Sequence, residues 1–440
     1  MEYLYNSAYS LWIRSNILPV LLIGAVLSEI NLTLVKGNVP VRISIGDLII
    51  MGTILGYLFF SWGNLKKIAA ENIIIVVTGL TFIFISLITS SIDNAYWLVS
   101  LKFCIKVCIL FFLLALIYQD SIISRGTLSA LLVIMICINA IGILEYFYCD
   151  RMKDFLLLFK SEESLVPHRH MHVSSIFPNT NTFSVFNAIF IVTILGITLH
   201  HGRLVNRYLC GICLLLCMAG LFLSSSRNGI LTVVTGISLL AVSLARRRGA
   251  LGKAFTVIVC ALAILVAAFS AHKPLAKRFA DLVSLAPMAL NGQSLGTKEV
   301  SSALRLKERL VIWENGQALF LEKPVFGIGA SQFIMRNDHK GGRTIHMHNI
   351  FGDILVNHGI VGFALFMALV AAWFKNAKGD WQVYLIITLF VSHMFDCFAP
   401  YNTIWLIFTP WLVALTTRKP DEMFLLDGID QPDQPAVIAK

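Results

Sequence analysis

Apolar runs of about twenty residues recur along almost the whole chain, and this constrains the fold more than any motif does. A helix needs ~20 apolar residues to cross the hydrocarbon core. Lipid offers no partner to an open backbone, so such runs must be helices bundled in a membrane. Of the 440 residues, 57% are hydrophobic and 14% are charged, too apolar a balance for an ordinary soluble domain. The expected class is an all-α integral membrane protein. Twelve spans are predicted, at about 11–35, 43–62, 73–92, 96–118, 128–148, 183–199, 208–223, 229–245, 254–271, 350–374, 381–396 and 402–417. They form one polytopic membrane domain over residues 1–418. The polar tail over 419–440, ending "DGIDQPDQPAVIAK", is expected to be disordered in the cytoplasm. The first run is too long for a cleavable signal segment. Most of the nine cysteines fall inside spans and read as small apolar side chains. Cys210 and Cys213 form a CxxC without the βαβ context of a redox motif.

Alternate connections carry the basic residues: Lys66 and Lys67, Arg125, Arg203 and Arg207, Arg246 to Arg248 with Lys253, Lys375 and Lys378, and Arg418 with Lys419. The opposite short connections hold only Lys36, Arg42 and Arg227. Basic residues resist translocation, so the richer side is read as cytoplasmic, with both termini inside. Two long hydrophilic stretches, 149–182 and 272–349, then face outward, and loops of that length are more often functional. The first contains "VPHRHMH", and the second carries more Lys and Arg than Asp and Glu. Cations on the outer face run against the usual asymmetry and point to an anionic ligand there. No phosphate loop or dinucleotide fingerprint is present, so nucleotide-driven chemistry is not expected.

Four stretches carry candidate chemistry, each beside a plainer reading. In "LFLSSSRNGIL" (Leu221–Leu231), Ser226 is the expected helix N-cap and Asn228–Gly229 the tight connection. Arg227 either snorkels to headgroups or offers its guanidinium fork to phosphate oxygens. Apolar spacing predicts an amphipathic surface helix from Leu304 to Phe320, with recurring positions at Leu306, Leu310, Trp313 and Gln317–Leu319. "KPVFGIG" ends it through Pro324 and Gly327. Arg305 and Arg309, four apart, share one face of that helix, either solvated or paired on a diphosphate. "TIHMHNIFGDILVNHGIVGF" puts His346, His348 and Asn349 at the start of the span over 350–374, where the plainer reading of His348 is an interfacial cap and the alternative a metal ligand. His358 is read as structural. The alternating histidines at 346 and 348, and at 168, 170 and 172, lack the carboxylates that usually complete a metal site. "SSIFPNTNTFSVF" (Ser174–Phe186) opens another span, with Pro178 breaking the chain and Asn181 or Thr182 capping the helix.

Together these stretches resemble the O-antigen ligase family of lipopolysaccharide assembly, whose superfamily includes O-antigen polymerases and bacterial oligosaccharyltransferases. "PNTNTFS", "SSSRNGIL", "RLVIW" with "KPVFGIG", and "HNIFGDILVNHGIVG" carry the likeness. The resemblance implies a glycosyltransferase of GT-C-like architecture in the bacterial inner membrane, with a periplasmic active site and no cofactor, nucleotide or metal. It implies a glycan donor on undecaprenyl diphosphate, a lipid A–core acceptor, surrounding lipid, and no nucleic acid. Matched by position, Arg227, Arg309 and His348 are the expected catalytic residues, with Arg305 as an alternative to Arg309. Arg169, Asn181, His346, Asn349 and Arg343 stand with Arg305 as candidate substrate-binding residues. The run "NDHKGGRTIHMH" before His348 does not align with the family's pattern. An imidazole titrates near neutrality and suits the hydroxyl proton, while arginines stay charged and suit the diphosphate. The rival readings are a polymerase, which extends glycan on the lipid carrier, and a transporter, for which Lys102, Lys106, Glu145 and Asp396 would be the ionisable groups.

Overall fold

The computed structural model describes residues 125–158, 173–201 apart from Pro178, 206–248, 300–336 and 346–394, with a few short pieces and single positions elsewhere. The spans expected at 11–35, 43–62, 73–92, 96–118, 254–271 and 402–417 lie wholly or mostly outside the described residues, as does the tail over 419–440. In chain order the helices are α1 Arg125–Tyr148, α2 Lys153–Leu157, α3 Thr180–His201, α4 Arg207–Ser224, α5 Arg227–Arg248, α6 Val300–Glu322, α7 Gln332–Arg336, α8 Ile350–Asn376 and α9 Asp380–His393. By length and composition α1, α3, α4, α5 and α8 can cross a membrane, and the expected helical membrane class holds.

A small departure lies near the N-terminus. Strands β1, Asn31–Thr33, and β2, Arg42–Ser44, pair antiparallel with Leu32 opposite Ile43. They occupy the end of the first expected span and the start of the second. Polar and apolar residues alternate there around β-branched side chains, a period-two pattern that suits a strand better than a helix.

The core is built around α3, which packs against α4, α5 and α9. Its apolar window is 83% buried inside the protein, whereas that of α4 is 33% buried. The outward side chains of α4, Ile212 and Leu215, remain for lipid. Polar contacts inside the bundle fix neighbouring helices. Asn139 Nδ2 on α1 donates to Asn187 Oδ1 on α3 at 2.9 Å and to the Met135 carbonyl at 2.9 Å. Cys217 Sγ of α4 lies 3.4 Å from the same nitrogen. A polar group in lipid must find its partner within the protein, though each such bond is modest in strength. Replacing Asn139 by leucine is expected to cost about 1 kcal/mol, seen as a lower melting temperature of the detergent-solubilised protein.

The span expected at 350–374 is not a straight helix. At Gly359 the backbone takes φ 64° and ψ −170°, a conformation open essentially to glycine alone. Phe351 and Phe366 stand fifteen positions apart, about 22 Å along a straight helix, yet their ring centroids are 6.1 Å apart. Helix α8 is therefore a hairpin, with one arm over 350–358 and a second over 361–376. The bend strips main-chain groups of their helical partners, and "KPVFGIG" replaces them in antiparallel fashion. Ile360 N donates to the Pro324 carbonyl at 2.9 Å and Val361 N to that of Val325 at 3.1 Å. In return Ile328 N donates to the Val356 carbonyl at 3.1 Å and Gly329 N to that of Asn357 at 2.9 Å. Backbone that leaves the helix within an apolar segment of this kind must find its partners in protein. Hydropathy alone cannot distinguish this hairpin from one long span, because both arms are apolar.

Candidate functional site

The first element of the site is the start of α3. The expected cap at Asn181 or Thr182 falls earlier: Asn179 Oδ1 accepts from Thr182 N at 2.8 Å and from Thr182 Oγ1 at 2.9 Å. Asn179 thus satisfies the exposed donors of the first turn, and Asn181 is used elsewhere. Its Oδ1 accepts from Ser226 Oγ at 2.8 Å, joining "PNTNTFS" directly to "SSSRNGIL".

Ser226 is the expected N-cap of α5: its Oγ accepts from Gly229 N at 3.5 Å. The tight connection, however, is not Asn228–Gly229 but Ser225, the left-handed residue (φ 54°) that ends α4. Both Asn228 and Gly229 already belong to α5. Gly229 lies where any side chain would meet Ser184 and Leu221, so α5 starts in close contact with α3 and α4. Arg227 is the first residue of α5 and is half-buried.

Asn228 extends the site to a third helix, since its Nδ2 donates to the Ser392 carbonyl at 3.1 Å near the end of α9. Two residues earlier on α9, the Phe390 ring lies 6.2 Å from Phe351, in the first turn of α8. Asn349 caps that turn, accepting from Phe351 N at 2.9 Å and Gly352 N at 3.1 Å. His348, immediately before, is half-buried and held at φ 54°, a strained region for a side-chain-bearing residue. Arg227, Asn181, His348 and Asn349 are thereby gathered at one end of the bundle, linked through the end of α9.

Helix α6 forms where expected, and Leu319 is packed as the spacing placed it. Ile312 and Gly316 are packed as well, whereas Trp313 is 52% exposed. The buried Met347, adjacent to His348, sits against Gly316, where a methyl group would collide with its Cε at 2.5 Å. Gly316 thus seats α6 beside the start of α8, and Ile312, Leu319, Ile328, Phe333, Met347 and Val356 form a second apolar cluster around that joint. A helix repeats its face every three to four residues. Arg309, three positions before Ile312, continues the packed stripe and is exposed. Arg305 is part of α6, and its side chain lies outside the described residues. Glu322 and Arg336 close the following loop with an ion pair of 2.7 Å. Asn357 Oδ1 accepts from Phe333 N at 3.0 Å, which ties α7 to the hairpin.

His346 is half-buried beside Met347, and His358 is buried at the hairpin's corner. Arg169 and Arg343 lie outside the described residues, as do His168, His170 and His172. Among the described residues, no group of three His, Cys, Asp or Glu side chains could hold a metal ion. Sequence reading missed Ser392 and took Asn228 for a turn residue. Nothing in a single sequence signals a side chain that reaches a main-chain carbonyl 164 positions away.

At the far end of the bundle, His200 of α3 stacks on Trp381 of α9 with centroids 5.7 Å apart. The starts and ends that lie there carry Arg207, Arg246, Lys375 and Lys378. These features define a multi-pass membrane protein whose two ends differ: one is plainly basic, and the other holds the starts of α3 and α5 and the end of α9. Residues 212–367 match the family model described as O-Antigen ligase. The match spans Arg227, Arg309 and His348 and bears out the resemblance read from the motifs. No curated protein matches the chain.

Proposed function

We propose that the protein transfers a glycan from undecaprenyl diphosphate to the lipid A–core acceptor at the periplasmic face of the bacterial inner membrane. The observation that carries this reading is the link Arg227–Asn228–Ser392 and Phe390–Phe351, which brings an arginine and His348 from separate parts of the chain to one end of the bundle. The basic residues at the opposite end support a cytoplasmic assignment for that end, leaving the Arg227 end outside. The acceptor hydroxyl oxygen attacks C1 of the donor sugar as the C1–O bond to diphosphate breaks. His348 takes the hydroxyl proton, and the diphosphate leaves with the electron pair. One displacement inverts C1. Arg227 and Arg309 (or Arg305) offset the charge that grows on the leaving diphosphate, each donor of this kind being worth a few kcal/mol.

Deletion of the gene is expected to leave lipid A–core without attached glycan on a lipopolysaccharide gel. The wild-type gene should restore the ladder, and Arg227→Ala, at equal membrane abundance, should lower transfer about a hundredfold. A deletion strain that keeps its core-linked ladder but cannot lengthen glycan on the lipid carrier would instead mark a polymerase.

A further inference from the structure

Glu145 is a buried carboxylate that the proposed chemistry leaves unused. It sits three residues from the end of α1 and is 7% exposed. A membrane transporter would use such a group as a mid-membrane ionisable site, but here it is committed to holding main chain. One oxygen, Oε2, accepts from Ser175 N at 2.6 Å and Ser174 N at 3.2 Å. Consecutive backbone N–H groups make an anion-binding concavity, and this one is filled by the protein's own carboxylate. Ser175 stands at φ 52°, and its Oγ donates to the Ile138 carbonyl of α1 at 2.6 Å. Val173 N donates to the Leu223 carbonyl of α4 at 3.2 Å. The turn over 173–177 is thus anchored to α1 and α4. The chain leaving it runs at once into the Asn179 cap and then Asn181, the acceptor for Ser226 beside Arg227.

We propose that Glu145 is a positioning residue for the donor site: by clamping the 173–177 turn it sets Asn181 against Ser226 and so fixes the arginine that starts α5. The assignment of a diphosphate donor rests on the function proposed above; the clamp itself does not. Glu145→Gln keeps the side chain's volume and removes its charge, weakening both bonds to the turn. In membranes containing the full chain, with a polyprenyl-diphosphate glycan as donor, Glu145→Gln is expected to raise the donor KM about tenfold while leaving the acceptor KM within about twofold. Coupled residues do not add, so Asn181→Ala should cost clearly less in the Glu145→Gln background than in wild type. An unchanged donor KM, or two costs that multiply in full, overturns the proposal.

A readout independent of activity separates the two claims. Asn181→Cys, labelled with a membrane-impermeant maleimide against wild type as blank, should react several-fold faster per molecule when Glu145→Gln is also present, whatever the abundance. If the wild-type protein transfers no glycan but labelling accelerates, the proposed function fails and the clamp stands. If labelling does not accelerate, the clamp fails.

Discussion

Replacing His348 by alanine is expected to lower glycan transfer about a thousandfold while leaving the protein's membrane abundance close to wild type. The expectation of intact folding comes from the local geometry. The first turn of α8 is capped by Asn349, whose Oδ1 holds Phe351 N and Gly352 N without help from the imidazole. Met347, not His348, makes the buried contact with α6. Histidine and alanine both carry a Cβ at φ 54°, a left-handed position costing roughly 1 kcal/mol, so the change to alanine adds little strain there. His348→Gly relieves that strain and removes the base, so it should be as inactive as alanine and at least as abundant. The loss belongs in kcat, because the base acts on the acceptor proton and not on the diphosphate. Undiminished transfer by either variant ends the assignment of His348 as base.

Gly359→Ala is the second large effect, and it acts through folding. Two costs coincide at that position. The conformation, φ 64° with ψ −170°, is one that alanine takes only under strain, and an added Cβ would strike the Val325 main chain. No flexible side chain can move away to relieve it, since the obstacle is backbone. Together these should destabilise the protein by at least about 3 kcal/mol. The measurement is membrane abundance together with the melting temperature in detergent. Wild-type values for both would mean that α8 runs straight through 359, and the paired backbones of 324–329 and 356–361 would then be wrong.

Much of the membrane architecture was legible because lipid makes composition decisive. Helices α1, α3, α4 and α5 fall within a few residues of the expected spans, and α6 lies where helical spacing puts it. Family motifs singled out Arg227 and His348 as candidates, and α9 links the helix starts beside them. What could not be read depends on partners remote in sequence. Asn179 and Asn181 are both sound N-cap residues, and only the reach of Ser226 decides which one caps. Trp313 and Ile312 are equally apolar neighbours, and the packed face is chosen by Met347 across the joint. The hairpin at Gly359 is invisible to hydropathy because the chain that replaces its lost hydrogen bonds arrives from another loop.

The two crossing stretches around Gly327 and Gly359 are joined through amide and carbonyl groups. The main-chain bonds of this seam ask nothing of its exposed letters, whereas Ile328, Val356 and Asn357 are buried in it. Natural variants can therefore reshape the exposed Val325, Phe326 and Ile360, to suit whatever surface they meet, without disturbing the fold that holds His348 in place.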